Sequence, residues 1–302
     1  MAKIDQPATL VTGATGFIGA ELVRALVAKG SRVVAVSRRP PDPRDQQSSV
    51  EWRSCDLLRP DTLPSAFADV RVAYYLVHSM GGGHADYRAL ERRSAQAFIT
   101  AAVSAGVERI VYLGGPAPSG ELSEHLRSRL EVGEILRSGP VTAVELRASM
   151  VIGNGSASWQ IVRDLAVRLP VMVLPKWLAS RTRPVALSDV IAALLGAAEL
   201  PLEQSEWFDV PGPDTISGQQ ILERIAALRG RRFLALKVPL LTPQLSAWWL
   251  WLVTRTDFGV ARELVQGLRD DLLPKDDRIW ERIGHTRLLS FDEAAKHALA
   301  GE

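Results

Sequence analysis

The stretch Thr12-Gly13-Ala14-Thr15-Gly16-Phe17-Ile18-Gly19 constrains this chain more than any other. An apolar, β-like run from Ala8 to Thr12 leads into it. A helical pattern (Phe17, Ile18, Leu22, Val23, Leu26, Val27) leads out and is stopped by Gly30. Strand, glycine turn and helix, in that order, is the context in which such glycines bind a dinucleotide. Gly13 permits the tight turn, Gly16 lets the backbone approach a pyrophosphate, and Gly19 brings the helix close to the strand. The N–H groups and dipole of the helix start then bind the anion. Thr12, Thr15, Phe17 and Ile18 belong to the same turn and are read with the glycines as cofactor-binding positions.

At 302 residues the chain can bury a sizeable core as one large domain or two. A net charge of +2 with scattered basic residues implies no nucleic-acid partner. The single cysteine, Cys55, excludes an internal disulfide framework and suits a reducing cytoplasm. The glycine turn lies so near the first residue that no signal peptide is expected before it. No apolar run reaches the roughly 18 residues of a spanning helix, so a soluble, cytoplasmic protein is expected, with peripheral membrane contact left open.

Strand-like and helix-like segments alternate through the first half. Arg32 to Ser37, Val50 to Asp56, Val72 to Val77, Arg109 to Leu113 and Thr142 to Leu146 read as strands. Residues 61–68, 85–105 and 123–138 read as helices between them. This rhythm predicts an α/β fold with a doubly wound parallel sheet. Ligands bind such sheets at the carboxyl ends of the strands, so the loops after residues 12, 37, 56, 77, 115 and 147 should face one cleft.

The end of the second strand selects the cofactor. An acidic residue there would hold the adenosine ribose of NAD. The chain instead has Ser37-Arg38-Arg39. Guanidinium groups pair well with phosphate oxygens, which favours NADP(H), while NAD(H) stays open. Asp56, after the third strand, stands where it could accept from the adenine amino group, or act as an ordinary turn residue.

Several segments together resemble the atypical short-chain dehydrogenase/reductases, and among them the NmrA-like, YbjT-type NAD(P)H-binding proteins. They are Thr12 to Gly19, Cys55-Asp56-Leu57, Tyr74 to Met80 and Tyr112-Leu113-Gly114-Gly115. His125 to Glu134, Leu146 to Gly153, Arg183-Pro184-Val185 through Val190 and Asp209 to Asp214 extend the resemblance over roughly residues 8–270. The resemblance implies an extended-type Rossmann fold with a small C-terminal substrate lobe. On this reading residues 1–150 form the nucleotide-binding domain, segments near 184–216 return to it, and residues 151–302 are mainly the substrate lobe. It also marks Cys55, Asp56, Leu57, Val77, His78, Ser79, Gly114 and Gly115 as cofactor-binding positions. It names no substrate.

Typical relatives carry Tyr-x-x-x-Lys one helix after the fifth strand, where the lysine helps a tyrosine of ordinary pKa about 10 exchange a proton. No tyrosine of this chain has a lysine four positions later. His125 and Arg129 occupy the matching helix and keep the spacing that puts two side chains on one face. His125 is therefore the candidate proton donor, Arg129 its partner at the cofactor ribose, and Ser79 a further catalytic candidate. A solvated ladder Glu121–His125–Arg129 is the structural alternative. His78 either contacts a ligand or caps its strand. Arg147 either orients a substrate oxygen or sits in a salt bridge. Five scattered histidines and one cysteine offer no metal spacing, and Gly153-Asn154-Gly155-Ser156 is not a nucleophile elbow.

The second half is less regular. Helices are expected around residues 161–169, over 188–199 with Ser188 as cap, and over 217–228. Trp248, Trp249 and Trp251 cannot all face one core on a helix, since each residue turns it by about 100°. A pocket for a bulky apolar substrate, a partner subunit, a membrane surface and plain packing all remain open for them. The leading function is an NADP(H)-dependent oxidoreductase acting on a small, largely apolar carbonyl, enone or quinone-like molecule. The alternatives are a non-catalytic nucleotide sensor or assembly factor, or a cofactor-retaining epimerase or isomerase. The oligomeric state is not legible.

Overall fold

The computed structural model describes residues 7–42, 49–78, 87–117, 123–168, 171–174, 176–231, 234–237 and 270–301. Seven parallel strands form the central sheet: β1 (Ala8–Thr12), β2 (Val33–Ser37), β3 (Val50–Ser54), β4 (Val70–Tyr75), β5 (Arg109–Gly114), β6 (Thr142–Arg147) and β11 (Glu206–Asp209). Their order is β11-β6-β5-β4-β1-β2-β3, so the winding reverses between β1 and β4. Among the described residues three short strand pairs lie outside it: β7 (Val151–Ile152) with β10 (Val185–Ala186), β9 (Arg181–Thr182) with β12 (Ile216–Ser217), and β8 (Val171–Leu174) with β13 (Leu234–Lys237).

The inner strands are largely apolar because both faces of the sheet are covered, whereas the edge strand β3 carries exposed Glu51 and Ser54. On one face α1 (Phe17–Ala28) and α6 (Leu187–Glu199) pack over Val11, Ala35, Val111 and Val144. On the other, α2 (Leu63–Ala66), α3 (Tyr87–Ser104) and α4 (Glu124–Ser138) cover Leu10, Val34, Ala73 and Ile110. An edge-to-face series of rings, Phe67–Phe98–Tyr75–Tyr112, with centroids 5.1, 5.0 and 5.8 Å apart, stitches α3 to β4 and β5. Each such pair contributes about 0.5–1.5 kcal/mol beyond area burial.

A separate core joins α5 (Ala157–Arg168), α7 (Gly218–Leu228) and α9 (Phe291–Ala300) around Trp159, Leu165, Leu222 and Phe291. The segment after residue 270, with the short α8 (Ile279–Arg282), ties this lobe to the sheet. Trp280 Nε1 donates to Pro211 O at 3.0 Å, and Asp189 accepts from the Leu289 N–H at 3.0 Å and pairs with His285.

Three local expectations differ from the fold. Helix α6 starts at Leu187 with Ala186 as its uncapped N-cap, so Ser188 lies inside the first turn rather than capping it. The β10 strand runs straight into the helix, so its last residue, Ala186, takes the cap position and has no side-chain oxygen to fill it. The third strand stops at Ser54 because Asp56 turns the chain, accepting the Leu58 N–H at 3.0 Å. The fourth strand spans Val70–Tyr75 rather than 72–77. Its end is set by Thr12, whose hydroxyl donates to Tyr74 O (2.9 Å) and accepts from the Leu76 N–H (3.0 Å).

Candidate functional site

The glycine turn is built by backbone contact. Gly13 has φ +64°, and a Cβ there would stand 2.7 Å from Leu76 O. At Gly19 a Cβ would stand 2.1 Å from Gly13 O, so the helix can lie this close to the turn only with glycine. Gly16 is the N-cap of α1, no side chain caps the helix, and no acidic residue stands in its first turn. The unclaimed N–H groups and positive dipole end fit a pyrophosphate. Thr12 is buried and occupied with β4, so its hydroxyl shapes the turn rather than reaching outward. Thr15 is exposed, Phe17 and Ile18 half-buried. The Phe17 ring fills the space beside Gly153 and Gly155, joining the turn to the loop after β7.

At the end of β2 the Ser37 hydroxyl donates to Arg39 O (3.1 Å) and accepts from the Arg39 N–H (3.3 Å). This small turn leaves Arg38 and Arg39 exposed. Cys55 is buried against the Thr62 hydroxyl, and burial raises its thiol pKa. Leu57 is buried in the core on the α3 face of the sheet, and Val77 is packed, partly buried, against the same core.

The carboxyl ends of β4 and β5 carry the polar cluster. Ser123 caps α4 by accepting the Leu126 N–H at 3.2 Å, which sets His125 in the helix's first turn. The His125 ring meets His78 at 4.7 Å between centroids, tilted by 54°. Glu91, buried on α3, joins His78 Nδ1 through Oε1 at 3.0 Å and accepts from the Ser128 hydroxyl through Oε2 at 2.5 Å. Arg129 donates to Leu113 O at 2.5 Å. Helices α3 and α4 are further pinned by Arg88 and Arg92, which donate to Glu131 at 2.6 and 2.7 Å.

The His125 ring is half-buried against His78. Burial, the neighbouring His78 and Arg129 together lower its pKa to about 3. His78 is lowered too, by burial and then Arg129, against the opposing pull of Glu91. Both imidazoles are therefore neutral at pH 7. Tyr112 cannot substitute as an acid: burial pushes its hydroxyl up to about 12, and it donates to Arg129 O at 3.1 Å.

Gly114 and Gly115 are hemmed in by this chain's own side chains, Tyr112 and Glu145 at the first and Leu126 and Arg129 at the second. Arg147 takes the structural option, donating to buried Glu145 at 2.9 and 3.2 Å and stacking over Trp207 at 4.4 Å. Arg137 donates to the same carboxylate at 2.8 Å. A Cβ at Gly133 would stand 2.4 Å from the Glu145 carboxyl carbon, so this glycine makes room for the buried charge.

Ser79, Glu121, Trp248, Trp249 and Trp251 lie outside the described residues. Among the described residues no group of three His, Cys, Asp or Glu could hold a metal ion, and no helix is long and apolar enough to cross a membrane.

Sequence reasoning passed over Glu91 and Ser128. A signal existed: Glu91, Ser94, Ala95, Phe98 and Ala102 are the buried stripe of α3, so Glu91 is a carboxylate at a core position. Ser128 shares the buried stripe of α4 with Val132 and Leu136.

The NAD(P)H-binding family profile matches residues 13–167, which run from the glycine turn through this cluster. The chain belongs to the NAD(P)H-binding family. It is 28% identical over 276 residues to a ceramide reductase of Caulobacter vibrioides, covering 88% of this chain and 86% of that protein. It is 26% identical over 266 residues to a putative dihydroflavonol 4-reductase of Synechocystis sp., covering 79% and 77%. Among solved structures, the triphenylmethane reductase of Citrobacter sp. superposes with a TM-score of 0.77 at 18% identity, covering 97% of this chain and 99% of that one. That likeness shows the shared Rossmann-type fold.

Proposed function

We propose that this protein is an NADP(H)-dependent reductase of a largely apolar carbonyl, enone or quinone-like small molecule. The observation that carries the reading is the placement of two neutral imidazoles, His78 and His125, at the same sheet edge as the uncapped start of α1. The dinucleotide would lie with its pyrophosphate on Gly13, Gly16 and Gly19 and its adenosine end towards Ser37, Arg38, Arg39 and Asp56. The exposed Arg38 and Arg39 favour a 2′-phosphate. The cofactor supplies the hydride.

The chain's own part is to hold the reacting carbonyl and its proton. Neutral His125 donates a hydrogen bond to the carbonyl oxygen, a role that needs no charged ring. Arg129, fixed on Leu113 O, holds positive charge beside the developing oxyanion. The core of α5, α7 and α9 is the substrate lobe, and the segment from 184 to 216 returns to the nucleotide domain through α6 and β11. The similarity to a protein named ceramide reductase supports an apolar substrate.

The test is NADPH consumption against a panel of long-chain ketones, enones and quinones. One NADPH oxidised per product formed is expected. Tight NADPH binding with no turnover on any member would favour the sensor reading. Product without net NADPH consumption would favour the epimerase reading.

A further inference from the structure

We propose that Glu91 and Ser128 lock the His78 imidazole with its proton on Nδ1, so that the buried Nε2 accepts a hydrogen bond from a hydroxyl group of the bound ligand. The ligand's source rests on the cofactor reading above; the lock itself does not.

The two oxygens of Glu91 are directed at two different elements. Oε1 lies 3.0 Å from His78 Nδ1 at the end of β4, and Oε2 accepts from Ser128 on α4 at 2.5 Å. A carboxylate can only accept, so the proton of the first contact sits on Nδ1. A neutral imidazole then carries its lone pair on Nε2. That atom is buried and has no hydrogen-bond partner among the described residues. Such an acceptor is costly to leave unmet, and a ligand donor relieves the cost.

The surroundings say which donor fits. Among the described residues His125, Arg129 and Glu91 are the titratable groups facing His78, and the cationic Arg129 opposes a second proton on the ring. A cationic ligand group is disfavoured for the same reason, whereas a neutral hydroxyl meets a bare lone pair. The preceding residue but one, Leu76, lies with its carbonyl against Gly13, so His78 stands on the cofactor side of the cleft. The hydroxyl belongs either to a cofactor ribose or to an alcohol in the substrate position. The chemistry at Nε2 is the same for both. Glu91 acts through His78 and is a positioning residue.

The experiment is long-range ¹H–¹⁵N spectroscopy of the full chain labelled with ¹⁵N-histidine, with His78 assigned by its loss in His78→Gln. The free protein should show His78 neutral, protonated on Nδ1 and bare on Nε2. Glu91→Gln, which keeps an oxygen acceptor, should retain that tautomer, whereas Glu91→Leu should move the proton to Nε2. A shift of the Nε2 resonance with NADP⁺ alone assigns the ribose. A shift that comes only when trifluoroethanol is added assigns the substrate hydroxyl. A proton on Nε2 in the free wild-type protein overturns the lock, and an Nε2 signal unmoved by both ligands overturns the acceptor role. Calorimetry on the same sample separates this from the cofactor reading. If NADP⁺ fails to bind, that reading fails, and the free-protein tautomer and the trifluoroethanol shift still decide the proposal.

Discussion

The turn between β1 and α1 is made of backbone, whereas the cluster of His78, Glu91, Ser128 and His125 is made of side chains from the loop after β4, from α3 and from α4. In the turn, each glycine answers to a contact with another main-chain atom, Gly13 with Leu76 O and Gly19 with Gly13 O. In the cluster, each contact joins residues 13 to 47 positions apart, such as His78 to Glu91 and Ser128 to Glu91. A backbone site must repeat a fixed spacing to work, and it tolerates little change. A side-chain site can be assembled from any elements the fold brings together, and its chemistry can be altered while the fold stays.

The comparison breaks first at Gly19. Gly19→Ala places a methyl on a main-chain oxygen that cannot move aside, and overpacking of this kind costs about 1–3 kcal/mol or more. NADPH affinity should fall by about 100-fold or more by calorimetry, near 2.7 kcal/mol, while the His78 tautomer stays as in the parent. Retained affinity would show that the cradle is not the binding site.

On the cluster's side, His125→Ala should leave NADPH affinity nearly unchanged and lower kcat about 100-fold, at the lower end of what a positioned proton donor supplies. Equal turnover in single-turnover assays would remove His125 from the reaction.

Acid should also separate the two regions. His125 has a folded-state pKa near 3 and an ordinary value near 6.5 when unfolded, so the unfolded chain binds the extra proton between those limits. Stability is then complete above about pH 6.5 and falls as pH drops towards 3. At pH 5 the loss from His125 is about 2 kcal/mol, with His78 adding in the same direction. Urea melts at pH 7 and 5 should show it, and His125→Asn should flatten the slope. An unchanged slope would mean the ring is solvated after all.

The smallest effect concerns cofactor choice. The double variant Arg38→Ala/Arg39→Ala should narrow the NADPH-over-NADH preference by about tenfold, roughly 1.4 kcal/mol, because both side chains are exposed and solvent screens them.

The sequence made the sheet and the glycine turn readable because both follow short periods: alternating strand and helix, and glycines three residues apart. Strand ends were read less well. Where β3 stops depends on Asp56 bonding the Leu58 N–H, and where β4 stops depends on Thr12, 62 residues away. His125 and Arg129 were visible as a helical pair, but their environment was not, since burial beside His78 is a tertiary fact. The ambiguity at Arg147 had the same origin, because Arg137, which shares its Glu145 carboxylate, and the space at Gly133 come from α4. Glu91 left a trace as a charge on an apolar stripe, yet its partners lie on other elements.

The central claim is that the uncapped start of α1 holds NADP(H) through Gly13, Gly16 and Gly19, with Arg38 and Arg39 reading the 2′-phosphate. Calorimetric titration of the wild-type chain with NADPH and NADH tests it most directly. The account predicts one site per chain, with NADPH bound about tenfold more tightly than NADH. Equal affinities would contradict the arginine assignment, and no binding of either would contradict the claim as a whole.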